Sequence, residues 1–202
     1  MAPRPYKLGK RAALKEQTRQ RIVEATFELH SEKGVVATSM QDVADRADVA
    51  LHTVYRYFPR IDDLVFGCAE RVKTHMDPPD SGVFSSATAV DERVRVLVRE
   101  MFSMHQRGAD LIEMARCQQA EVPALAAALD FWTEHHEMMV AEALAPVKTS
   151  VSVRREVLAL TDFYVWKAFA DRGISTRRAE AIVTETVLTR LNSTRTPKGG
   201  SA

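Results

Sequence analysis

From Glu16 to Lys33 the chain sets Ile22, Val23, Thr26, Phe27 and Leu29 along one side at helical spacing, and Gly34 follows as a stop; the pattern predicts a helix of about five turns. "ATSMQDVADRA" then offers Thr38 or Ser39 as an N-cap, with Gln41 three residues after Thr38 in capping-box register and Met40, Val43, Ala44 and Ala47 on one face. Asp48 interrupts this short helix, and "VALHTVYRYF" resumes with Val49, Val54, Tyr55 and Phe58 as inward candidates until Pro59 ends the segment. "RIDDLVFGCAERVKTHM" predicts a fourth helix, with Asp62 and Asp63 where the dipole favours carboxylates and Arg71 and Lys73 toward the other end. Pro78, Pro79, Ser81 and Gly82 then mark the clearest linker in the chain.

Beyond the linker, Val90, Val94, Leu97, Val98, Met101 and Met104 carry a helix over 88–107 that Gly108 closes, and a shorter one covers 109–119. After Pro123, Leu125, Leu129, Trp132, His136, Met139 and Ala143 alternate spacings of four and three until Pro146. Two further helices are expected at 152–172, closed by Gly173, and 176–192. Neither strand alternation nor an internal repeat is visible, so the expectation is an all-α chain of about nine helices.

Charge changes this picture at one end. Residues 1–60 carry 11 Lys/Arg against 7 Asp/Glu, whereas 61–202 carry 17 against 20. The first 21 residues hold Arg4, Lys7, Lys10, Arg11, Lys15, Arg19 and Arg21 against Glu16 alone, which suggests a polyanionic partner at this end. No apolar run is long enough for a membrane span and none follows the basic N-terminus, so a cytoplasmic protein with no membrane partner is expected. Cys68 and Cys117 stand far apart, without the spacing of a zinc site, and read as small core residues; no metal or cofactor is expected.

A braced pair of short helices joined by a tight turn is what presenting a helix end to a DNA major groove requires. The run "ATSMQDVADRADVALHTVYRYFPRIDDLV", through Thr38, Ser39, Asp42, Val43, Ala44, Ala47, Val49, Thr53, Val54, Tyr55, Tyr57, Phe58 and Leu64, resembles the DNA-binding head of TetR family transcriptional regulators. Two positions depart from that pattern: Asp48 stands where the family usually has glycine, and Ile61 stands where a lysine commonly opens the fourth helix, with Arg60 one residue earlier. The resemblance implies phosphate contacts for Thr38 or Ser39 and for Tyr57, with Arg60 in the place of the lysine. If Val49, Val54 and Phe58 face inward, then Gln41, Ala50, Leu51, His52, Thr53 and Arg56 face the groove. There Gln41 can pair with adenine, His52 can meet guanine or an amino group or merely be solvated, and Leu51 or Thr53 can touch a thymine methyl. Tyr55 is either a core aromatic or a phosphate contact.

Residues 83–192 carry no catalytic motif: His135 and His136 do not form H-E-x-x-H, and there is no G-x-S-x-G and no phosphate loop, so an enzyme is not expected. Met101, Met104, His105, Met114, Gln118, Trp132, His136, Met139 and Tyr164 fall on inward stripes and read either as plain core or as the lining of a small-molecule pocket. The resemblance favours an inducer pocket, and the apolar lining suggests an apolar or aromatic effector. Ala179, Val183, Val187 and Leu191 repeat every four residues and, with Val157 and Val165, are expected to form a homodimer surface. Such a dimer would place two heads on a palindromic operator, and effector binding would release it. A DNA-binding dimer whose body takes a protein partner, or only dimerises, fits the same residues. The expected organisation is a basic flexible arm (1–15), a helix-turn-helix domain (16–60), a connecting helix (61–77), a ligand-binding and dimerisation domain (83–192) and a flexible tail (193–202).

Overall fold

The structure is a computed structural model that describes residues 6–195, with side chains from 11 to 193. Its elements are α1 (Tyr6–Lys33), α2 (Met40–Arg46), α3 (Leu51–Tyr57), α4 (Ile61–Gly67), α5 (Ala69–Met76), a 3-10 turn (Ser81–Phe84), α6 (Val90–Arg107), α7 (Ala109–Gln118), α8 (Pro123–Leu144), α9 (Val151–Leu160), α10 (Phe163–Ala170) and α11 (Thr176–Arg195). No strand occurs among the described residues, and the all-α expectation holds.

The described residues hold eleven α-helices where about nine were expected, because two of the expected helices are broken. The connecting helix splits at Cys68, whose N–H is shared between Leu64 O and Val65 O. Gly67 sits just before the break, and a Cβ there would lie 2.5 Å from the Phe58 ring, so the close approach of α3 and α4 requires glycine. The 152–172 helix splits because Asp162 caps α10, accepting from Tyr164 N at 2.8 Å, while the Thr161 hydroxyl turns back to Val157 O at 2.8 Å.

The ends differ as well. Helix α1 starts at Tyr6, so residues 6–15 are not a flexible arm. "AALK" offers good helix formers; Gly9 costs about 1 kcal/mol relative to alanine, but no proline between Pro5 and Glu16 stops propagation. At the other end 193–195 continue α11; residues 1–5 of the expected arm and 196–202 of the expected tail lie outside the described residues.

The chain forms two compact units, Met1–His75 with Asp110–Leu129, and Met76–Ala109 with Asp130–Ala202. In the first, Ile22, Leu29, Val43, Ala44, Ala47, Val54, Phe58 and Leu64 make one core, each large aliphatic contributing about 1.5–3 kcal/mol on burial. Ala44 and Ala47 let α2 approach its neighbours closely. Two smaller clusters join it to the 110–129 segment: Val35 with Val122, Ala124 and Leu125, and Phe27 with Cys68 and Leu111. Arg71 lies 4.2 Å over the Phe27 ring and pairs with Glu24 at 2.8 Å. Cys68 is buried, its thiol pushed up to about 12 by loss of solvent, whereas Cys117 is exposed and so is not the core residue its composition suggested.

In the second unit α11 packs on α6, whose Val94, Leu97, Val98, Met101 and Phe102 are buried. Ala179, Val183, Val187 and Leu191 are buried in this same unit, as is Val157, while Val165 is half-buried. The four-residue row therefore faces the protomer's own core and not a partner. A row of small apolar residues allows close helix packing of either kind, and α6 supplies the apolar face within the chain.

Candidate nucleic-acid interface

Of the two N-cap candidates Ser39 caps α2, so the capping box runs Ser39–Asp42, one residue later than the Thr38–Gln41 register. Ser39 Oγ accepts from Asp42 N at 3.1 Å, and the Asp42 carboxylate accepts from Ser39 N at 2.8 Å. The Ser39 hydroxyl and Lys33, 2.9 Å away, hold the Asp42 carboxyl far below the usual range. Asp42, three residues after Ser39, was the signal for this register, and Gln41 instead reaches Asp45 at 2.7 Å. Thr38 is buried, its hydroxyl donating to Gly34 O at 2.7 Å, so it stabilises the turn before α2 and does not present a phosphate donor.

The turn between α2 and α3 passes through Asp48 at φ +50°, the left-handed region where glycine is usual. What compensates lies 27 residues away and leaves no pattern in the sequence. Arg21 reaches from α1 to donate to Asp48 O at 2.8 Å and to the Asp48 carboxylate at 3.2 Å, tying the turn to the bracing helix. Val54 and Phe58 then point inward, with Val49 half-buried against the same core. Tyr55 does not join them: its side chain is 48% exposed, which removes the core reading. His52 and Arg56 are exposed, as are Ala50 and Gln41, while Leu51 and Thr53 are half-buried at the start of α3.

Tyr57 is also half-buried, and its hydroxyl donates to Lys15 O at 3.1 Å, a proton already used inside the protein. That bond docks the C-terminal end of α3 on the part of α1 expected to be flexible. Arg11, Lys15 and Arg19 are exposed along it at four-residue spacing. Arg60 is exposed, loosely paired with Asp63 at 3.5 Å, so its guanidinium remains available at the start of α4. Ser39, Tyr55 and Arg60 line one open groove of about 460 Å³ with Val35, Val36, Met40, Ile61, Glu121 and Val122.

Residues 22–68 match the profile described as bacterial regulatory proteins, tetR family. The transcriptional repressor KstR of Mycobacterium tuberculosis is 30% identical over 172 residues, covering 82% of this chain and 74% of that protein. This chain belongs to the TetR family. The KstR of Rhodococcus jostii is 28% identical over 162 residues, covering 75% of this chain and 73% of it. Among solved structures, a transcriptional regulator from Rhodococcus sp. Rha1 matches with a TM-score of 0.64 at 17% identity, covering 87% of this chain and 96% of that one. The multidrug binding protein EbrR, complexed with imidazole, matches with a TM-score of 0.60 at 20% identity, covering 84% and 89%. At these identities the structures share the fold, and the function of a DNA-binding transcriptional regulator comes from the family.

The TetR body residues divide between the units. Met114 and Gln118 belong to the first. Met114 is half-buried against Val35 and Phe27, and the Gln118 amide is taken by backbone, its Oε1 accepting from Val35 N at 2.9 Å and Val36 N at 3.0 Å. In the second unit Met101, Met104, His105 and Met139 are buried, and Trp132 is half-buried with its ring edge-on to Phe131. Tyr164, 56% exposed, faces away from the core. Thr161, fully buried, gathers the polar groups: His105 Nε2 lies 3.1 Å from its carbonyl and His136 Nε2 lies 2.7 Å from its hydroxyl. The hydroxyl's own proton goes to Val157 O, so His136 Nε2 donates to it. No helix among the described residues is long and apolar enough to cross a membrane.

Proposed function

We propose that this protein is a homodimeric repressor that binds a palindromic operator and is released by a small, largely apolar effector. The observation that carries the DNA face is the outward placement of Gln41, His52, Tyr55 and Arg56 beside a groove that also holds Ser39 and Arg60. His52 and Arg56, with Ala50, Leu51 and Thr53 at the start of α3, read base edges; Tyr55, Arg60 and the basic stripe on α1 take phosphates, while the Ser39 hydroxyl, donating to Asp42 at 2.7 Å, serves as the cap of α2. Repression is supported by the KstR relatives. Effector binding is supported by the EbrR likeness and by the His105, Thr161 and His136 cluster, where Phe102, Phe163 and Trp166 surround His105 and a few polar atoms meet apolar rings.

Arg56→Ala is expected to weaken binding to a duplex selected by the wild-type protein from a random pool by about 1–3 kcal/mol if Arg56 reads a guanine. A phosphate role would weaken all sequences alike and flatten the salt dependence by about one counterion. Fluorescence anisotropy titrations at several salt concentrations separate these outcomes, and an unchanged affinity at every salt overturns the assignment of Arg56.

Because the row on α11 is buried, the dimer surface moves to the outward sides of α10 and α11. There Tyr164 is exposed and Val165, Phe169, Ile182 and Leu188 are half-buried. Leu188→Arg is expected to convert a dimer to a monomer in sedimentation velocity, with helix content unchanged by circular dichroism. Val183→Asp, which places a charge in the core, is expected to unfold the second unit instead. A Leu188→Arg protein that remains a dimer would remove this face from the assembly.

A further inference from the structure

The turn that delivers α2 to its place is not held by the head alone. Gly34 takes φ +82°, the Gly34 carbonyl accepts the Thr38 hydroxyl, and Thr38 N returns to Val35 O at 3.0 Å. Inside this reversal Val35 is buried, and its N–H and that of Val36 both point at one acceptor, the Oε1 of Gln118, more than 80 residues away in sequence. The fit is tight: a Cβ on Gly34 would lie 2.3 Å from Gln118 Nε2. Val122 and Leu125, just past Gln118, complete the apolar packing under Val35.

We propose that Gln118 is a positioning residue for DNA binding. Its amide fixes the α1–α2 turn and thereby the N-terminus of α2, Ser39 and the groove that Ser39 shares with Tyr55 and Arg60. The DNA-binding machinery is then completed by a segment, Asp110–Leu129, that the chain reaches only after passing through the other unit. This rests on the reading of that groove as part of the DNA interface. The physical reason is the double acceptance. Without an acceptor at Oε1, the buried Val35 N–H has no partner in place, and the turn relaxes toward an arrangement in which it finds water.

The test uses the full chain with two substitutions. Gln118→Leu keeps the volume and removes the acceptor; Gln118→Glu keeps an acceptor oxygen at the same reach. The probe is a duplex selected by the wild-type protein from a random pool, and binding is measured at about 0.3 M salt so that the added charge is screened. Hydrogen exchange reports the Val35 and Val36 amides directly, and circular dichroism confirms that each variant is folded at the assay temperature. Gln118→Leu is expected to lose at least tenfold in affinity while folded, with fast exchange at both amides, and Gln118→Glu to restore slow exchange and most of the affinity. Fast exchange with affinity within twofold of wild type overturns the proposal, as does a Gln118→Glu protein that regains protection without regaining affinity. A wild-type protein that enriches no duplex would instead overturn the interface reading itself, and this inference with it.

Discussion

Gly34→Ala is expected to cost about 3 kcal/mol in the stability of the first unit, the sum of two separable effects. The left-handed backbone at φ +82° costs an L-residue about 1–2 kcal/mol. The new Cβ also displaces the Gln118 amide, leaving the buried Val35 N–H without its acceptor, for another 1–3 kcal/mol or so. Gly173 provides the control. It too has a positive φ, +71°, but a Cβ there meets nothing within 4 Å, so Gly173→Ala is expected to show the conformational cost alone, about 1 kcal/mol. Urea denaturation followed by circular dichroism reads both as shifts in midpoint at unchanged slope. If the two alanines cost the same, the packing of Gln118 against the turn contributes nothing, and the double acceptance described above is energetically idle. A Gly34→Ala protein as stable as wild type would contradict the turn geometry altogether.

The head was legible in the sequence because its constraints are local. Ile22, Val43, Val54 and Phe58 announce their burial through spacing, and Gly34 and Pro59 announce the ends of elements. Asp48 could be read as a left-handed turn residue from its chemistry. Its stabiliser, Arg21, could not, because a contact across 27 residues leaves no periodic trace. Tyr55 and Tyr57 show the same limit. Both look like aromatics of a short amphipathic helix, yet one faces outward and the other spends its hydroxyl on Lys15 O, a backbone atom whose position depends on α1 extending further than its apolar stripe.

In the body the difficulty was different. A row of small apolar residues at four-residue spacing states that a helix packs closely, not against what, and on α11 the partner is α6 of the same chain. Gln118 carried an equally ambiguous signal. A glutamine on an inward stripe suits a ligand pocket as well as a backbone staple, and only the unpaired N–H groups of a distant turn decide between them. Likewise the helix breaks at Cys68 and Thr161 arise from a ring packed against Gly67 and from a hydroxyl competing for the backbone, neither of which disturbs the hydrophobic period enough to be read from it.

His30 makes the first unit sensitive to mild acid, with an expected loss of about 2 kcal/mol between pH 7 and pH 5. The residue is buried on α1, four residues before Gly34, and its Nε2 is buried without a hydrogen-bond partner. Burial therefore disfavours the imidazolium and lowers its pKa from 6.5 to about 4. In the unfolded chain the same side chain takes up a proton near 6.5, so between about pH 6.5 and 4 the unfolded state binds more protons than the folded one. Stability must then fall as pH drops through that window and level off below the folded value, while above pH 7 this group contributes no further change. The loss is bounded by about 3 kcal/mol, the full shift at 1.36 kcal/mol per pH unit. Carboxylates held by partners, such as Asp42 by Ser39 and Lys33, lose their stabilising effect at more acidic pH, below their unfolded value, which separates the two effects along the pH axis. Urea midpoints for wild type and His30→Leu at pH 7, 6 and 5 measure the difference, since the two proteins share every other side chain. The two curves are expected to converge on the wild-type value at neutral pH, apart from a constant packing offset, and to separate by about 2 kcal/mol at pH 5 with the variant the more resistant. Parallel curves would mean that His30 is protonated in place, which requires either an acceptor or solvent that the buried face of α1 does not provide.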